Sequence, residues 1–209
     1  MSKLRLRAAP TKSALLGLKK QVRFLNNGHD LLERKRELLT RLVYERIGEY
    51  RQLKQEANEA LKRAYHWLGI AELRMGGRVI HQATLGAAPS LKVEVLPRSA
   101  LGVQYPSVEA EILPPQPVGL LGTDPSFDEA RKAFSEASVV LAKLAEAEMT
   151  LYRLISEQRK AQKRVNALKY NIIPTYRQVI HRIGDALEEE ERGTLFQIKR
   201  LREASEGSG

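Results

Sequence analysis

The sequence predicts a mainly α fold: a long antiparallel two-helix coiled coil with a small β-hairpin-containing middle region. Two segments, 11–76 and 124–202, place apolar residues at an average step of about 3.5 residues, the period that keeps one stripe of a helix against a partner over many turns. The stretch between them, 77–123, loses that period and carries Pro, Gly and two short runs of strict alternation. Two rods of matching length in one chain bury both seams most simply by folding back on each other.

Composition narrows the class. With 29% charged and only 6% aromatic residues, the chain suits long helices better than a thick core. It has no cysteine, which rules out a disulfide framework and a thiolate metal site. No apolar run approaches the roughly 20 residues that span a bilayer. Residues 1–9 are basic with alternating leucines and lack an apolar signal core of about 7–15 residues. The expectation is a cytoplasmic chain without direct membrane insertion.

The net charge of +10 is concentrated at one end. Residues 1–36 hold ten Lys or Arg against Asp30 and Glu33, whereas the remainder is close to balanced. A basic end can meet phosphates or an acidic protein surface. Charge alone leaves both open.

The elements follow in order. Residues 1–10 read as a flexible basic N-terminus. Pro10-Thr11 then opens the first helix, with Thr as a cap. Steps of three and four from Leu15 land on Leu18, Val22, Leu25, His29, Leu32, Arg36, Leu39 and Val43, continuing to Ala64, Trp67 and Ala71. Gly76-Gly77 is the expected stop. At about 1.5 Å per residue each rod extends roughly 100 Å. Its charged positions, such as Glu45, Glu49 and Lys54, form a solvated face.

In the middle, Leu91 to Leu96 and Val108 to Leu113 alternate and are bounded by Pro, which predicts a hairpin. The intervening Pro97 to Ser107, about ten residues, looks too long for a tight turn. Asp124-Pro125-Ser126 with Glu129 restarts the helix, with Pro in its first turn and a Ser-x-x-Glu capping box.

In the second helix the stripe runs from Ala130 through Val165, Leu168, Ile172, Thr175, Val179, Arg182 and Ala186. Pro174 interrupts it. An interior proline removes a hydrogen bond and clashes with the preceding turn, at a cost of about 3 kcal/mol, so a bend is expected there. Beyond it a second stripe appears: Tyr176, Ile180, Ile183, Leu187, Thr194, Ile198 and Leu201. Apolar surface beyond what one helix covers predicts a further protein contact. Residues 203–209 read as a flexible tail.

No chemistry is legible. His29, His66, His81 and His181 are too far apart for a local metal motif, and no phosphate-binding glycine loop occurs. His29 falls on the seam as a polar register-setting residue. Glu188 to Glu191 point in different directions at helical spacing and read as a solvated face. No catalytic, cofactor or metal residue is expected.

The residues resemble the D subunit of the V-type (V/A-type, archaeal or vacuolar) rotary ATPases and ATP synthases, a central-stalk family. The likeness rests on Pro10-Thr11-Lys12 with Leu15 and Leu18, and on Gly28-x-x-Leu31-Leu32-x-x-Lys35-Arg36-Glu37-Leu38. It continues with Arg164-Val165-Asn166-Ala167-Leu168, Ile173-Pro174 and Glu190-x-Arg192-x-x-x-Phe196-x-x-Lys199-x-x-Arg202. The resemblance implies a non-catalytic shaft that carries torque between the hexamer of catalytic and non-catalytic subunits A and B and the membrane ion-translocating ring. It implies a small F subunit on the stalk's shaft, a socket subunit at the ring, no nucleic acid, and a cytoplasmic location peripheral to the membrane. On this view Lys12, Lys19, Lys20, Arg23, Arg164, Lys199, Arg200 and Arg202 contact acidic loops of the hexamer. Leu15, Leu18, Ile180, Ile183 and Ile198 supply the apolar bearing. A prefoldin-like helical-hairpin chaperone and a nucleic-acid-binding coiled coil are the alternatives.

Overall fold

The computed structural model describes residues 9–114, 116 and 122–206. Helix α1 spans Lys12–Met75, α2 Gly77–Leu85, strands β1 Leu91–Ala100 and β2 Val103–Ile112, helix α3 Pro125–Ala167, a π-helical turn Leu168–Ile172, and α4 Ile173–Glu206. The fold is mainly α with one two-stranded antiparallel sheet. Contacts divide it into two compact units. One is formed by the described parts of Met1–Glu37 and Arg159–Gly209, the other by Leu38–Gln158. The expected flexible ends lie outside the described residues at 1–8 and 207–209, while α4 continues to Glu206, past the expected limit.

In the second unit α1 and α3 pack antiparallel on alanines. Ala60, Ala64 and Ala137 form one buried cluster, flanked by Leu61, Ala133 and Phe134. Small side chains here let two helix backbones approach closely. Further along, Leu39 and Leu154 are both 0% exposed and enclose Val103 of β2. Burying each such leucine contributes about 1.5–3 kcal/mol.

The hairpin is longer and tighter than the alternation predicts. β1 and β2 pair from Leu91↔Ile112 to Ala100↔Val103, so only Leu101-Gly102 form the turn, with φ of 52° and 74°. Positive φ at both central residues is the type I′ geometry that matches strand twist. Leucine is an unusual occupant of the first position, and this is why the turn is hidden in the sequence. The prolines that seemed to bound the strands, Pro97 and Pro106, instead face each other inside the ladder. On β2 the Val108 N–H donates to Glu146 Oε2 (2.9 Å) and the Gln104 carbonyl accepts from Arg153 Nη1 (2.9 Å), both on α3. Backbone groups of alternate β2 residues therefore point off the sheet. Pro106 shares that alternation, where a missing N–H removes no ladder bond.

Gly76, at φ 79°, ends α1 as expected, but Gly77 begins the short helix α2 rather than a loop. The restart of the long helix is capped by Asp124 rather than by the Ser126–Glu129 box. The Asp124 carboxylate accepts from the Ser126 N–H (2.8 Å) and from its hydroxyl. Pro125 is then the first helical residue, where its absent N–H costs nothing.

In the first unit the seam is built from larger side chains. Leu18, Val179 and Ile183 form its buried cluster, with Leu15, Tyr176, Ile180 and Leu187 packed around it. Val165 and Ile173 are also buried. The π-turn explains the register. One widened turn lies just before Pro174, where the proline ring would otherwise meet the carbonyl four residues back, that of Tyr170. The extra residue rotates the following helix, so the seam passes from Arg182 and Ala186 of the first stripe onto Tyr176, Ile180 and Ile183, with Val179 buried between the two stripes. Arg182 and Ala186 are exposed. The second apolar stripe is thus, as far as Leu187, the internal seam itself.

Candidate partner interface

The expected site residues fall into three groups. Leu18 (7% exposed) and Ile183 (2%) lie inside the seam, and Leu15 and Ile180 flank it half-buried. Leu18 and Ile183 are occupied within the chain and present no surface to a bearing. Pro174 is half-buried, directly after the π-turn. Lys19, Lys20, Arg23, Arg164, Lys199, Arg200 and Arg202 are exposed, as is Ile198 at 57%.

Lys12 stands apart because its Nζ is 2.7 Å from Glu191 Oε1. That charge-assisted hydrogen bond, reinforced by attraction between the charges, raises the Lys12 ammonium above its ordinary value and lowers the Glu191 carboxyl. The pair ties the start of α1 to α4, and it gives Glu191 a partner within the acidic run read as a solvated face.

Beyond Glu191, α4 has no facing helix among the described residues. Every described position from Glu188 to Glu203 is exposed, including Leu195 (67%), Phe196 (62%) and Leu201 (72%). Pro10, Thr11, Leu187, Thr194 and Leu195 line an open groove where α1 begins. Uncovered apolar surface on several sides of one helix is the mark of a protein-interaction site. Two further exposed residues, Phe24 and Leu31 on α1, escaped the seam-based reading because they lie on the face away from the seam.

One polar layer interrupts the seam. Arg36 donates to Gln162 Oε1 (2.8 Å) and lies 2.6 Å from Glu33, and Gln162 donates to Asn166 (2.8 Å). His29 Nδ1 meets Asp30 (3.1 Å). The layer binds the two helices across the seam and assembles no metal set: no cluster of three His, Asp or Glu suited to a metal occurs among the described residues. No helix among them is long and apolar enough to cross a membrane.

The family model for the D subunit of ATP synthase matches residues 14–203. Among similar curated proteins, the D subunit of the V-type ATP synthase of Thermotoga neapolitana is 36% identical, covering 93% of this chain and 97% of its own length. The D subunit of the A-type ATP synthase of Thermococcus gammatolerans is 34% identical (97% and 98%), and that of Pyrococcus furiosus 31% (94% of each). With a match over nearly the whole chain and a fold of long paired helices around a small hairpin, the chain belongs to the D-subunit family of V/A-type ATP synthases.

Proposed function

We propose that this chain is the central-stalk rotor shaft of a V/A-type ATPase or ATP synthase. It carries torque between the nucleotide-binding hexamer of subunits A and B and the membrane ion-translocating ring. It performs no catalysis, binds the small F subunit along its length, and seats on a socket subunit at the ring, on the cytoplasmic side. The observation that carries this reading is the end of α4. From Glu188 to Glu203 the helix is exposed on every side and still bears Leu195, Phe196, Ile198 and Leu201. Exposed apolar surface of that kind marks a protein-interaction site, and a hexamer's central opening supplies a matching sleeve.

The physical requirements of a shaft support the reading. Paired antiparallel helices resist twisting, and side-chain asymmetry lets one rotor bias several interfaces differently. Copurification tests it: the full chain should retain nucleotide-binding subunits and an F-like partner. Ending the chain after Leu187 should abolish hexamer capture while leaving F capture intact. Steeply salt-dependent DNA binding, or capture of unfolded clients, without hexamer capture would contradict the shaft.

A further inference from the structure

We propose that the cleft between the β-hairpin and the two long helices of the second unit binds a small phosphate ester. The cleft holds about 320 Å³, which suits a ligand of metabolite size. Each helix lines it with one stripe of side chains at helical spacing, from Arg46 to Leu53 on α1 and from Lys143 to Thr150 on α3. The hairpin closes it with Arg98 and Tyr105, which are paired across the ladder and therefore stand on the same side of the sheet.

Two of the cations in the cleft are unpaired. Its carboxylates are already engaged: Glu49 Oε2 accepts from Arg46 (2.7 Å), and Glu146 Oε2 accepts from the Val108 N–H (2.9 Å). Arg98 on the hairpin and Lys143 on α3 have no ion-pair partner among the described residues. An anion between them is attracted to both. Thr150 supplies an independent sign of a ligand. It is only 6% exposed, it lines the cleft, and its hydroxyl makes no hydrogen bond among the described residues. A buried hydroxyl without a partner costs stability, and an oxygen bound in the cleft would accept from it.

The donors select the anion. A carboxylate has two oxygens and is satisfied by a guanidinium fork alone, whereas a phosphate group offers three, one each for Arg98, Lys143 and Thr150. The apolar lining selects an ester. Leu53, Ala147 and the Tyr105 ring give a free phosphate ion nothing to bind, but they can cover an organic body. A two-stranded sheet is marginal by itself, so a ligand joining Arg98 to Lys143 ties the hairpin to α3 and stiffens it.

Calorimetric titration of the full chain with inorganic phosphate and with AMP tests the site. Both should bind saturably at one site per chain, AMP the more tightly. Arg98→Gln and Lys143→Gln replace exposed side chains, should keep wild-type helicity by circular dichroism, and should each weaken AMP binding at least roughly tenfold. Thr150→Val should weaken it several-fold. Lys62→Gln, at an exposed cation of α1 outside the cleft, should leave it unchanged. No saturable AMP binding, or wild-type binding in both Arg98→Gln and Lys143→Gln, overturns the site, as does an equal loss in Lys62→Gln. Equal affinity for AMP and inorganic phosphate means an adventitious ion only and overturns the ester.

Discussion

The two units solve the same packing problem with different materials. The seam of Leu38–Gln158 is rich in alanines, with Ala57, Ala60, Ala64, Ala71, Ala130 and Ala137 each at most 4% exposed, beside the buried Leu39 and Leu154. The seam of the other unit uses Leu18, Val165, Ile173, Val179 and Ile183, and it contains a polar layer around Arg36 and Gln162 and a π-helical turn. Alanine packing brings backbones close and leaves no room for added volume. Larger side chains interdigitate more loosely around a disruption and absorb a one-residue change of register. The unit with the close seam also carries the hairpin, while the unit with the adaptable seam carries the uncovered end of α4.

The difference between the two seams has its largest consequence at the shifted register. Ile183→Ala should cost about 2–5 kcal/mol in urea unfolding, because it empties a buried site. Its neighbour Arg182→Ala should change stability by less than about 0.5 kcal/mol. Equal effects would mean that the π-turn does not reset the seam. Next in size, Ala64→Leu should destabilise by about 1–3 kcal/mol through overpacking. Ala186→Leu, exposed although it falls on the uninterrupted stripe, should be nearly neutral in the same assay.

Pro174→Ala should stabilise the chain by about 1 kcal/mol. That is less than the roughly 3 kcal/mol of an unrelieved interior proline, because the π-turn already removes much of the clash. Hydrogen exchange across 168–172 should slow in the variant. Unchanged exchange with lower stability would show that the π-turn has a cause other than the proline.

The smallest effect concerns the cap of α3. The Ser126 hydroxyl and N–H, then Arg74 at 3.3 Å, hold the Asp124 carboxyl below its ordinary 3.8. A depressed carboxyl contributes stability above its unfolded value and loses it as pH falls through the folded one. The melting temperature should therefore drop below about pH 4 more steeply in the wild type than in Asp124→Asn. Identical slopes would place the acid sensitivity elsewhere.

Much of the fold was legible because long-range periodicity accumulates: Leu15 through Ala71 marks a helix whatever its tertiary context. What escaped detection was local. Leu101-Gly102 adopts positive φ at a leucine, so the ladder hid its own turn, and Pro97 and Pro106 read as strand ends although they face each other within the sheet. Gly77 opens α2 from what looked like a stop, because glycine signals a break without specifying the next element. The π-turn was invisible as such. Pro174 signalled strain, but the one-residue phase shift sends Tyr176, Ile180 and Ile183 inward, and only contacts with Leu15 and Leu18 reveal it. The exposure of the cations and of Ile198 was readable from pattern. That of Phe24 and Leu31 was not, since an outward apolar face cannot be separated from a wide seam without the partner helix in place.

A shaft of the kind proposed above must turn. A bead fixed to the exposed side of α1 in a reconstituted complex with immobilised nucleotide-binding subunits should rotate in one direction on addition of ATP. Sustained ATP hydrolysis with a stationary bead, and the chain still bound, would contradict it.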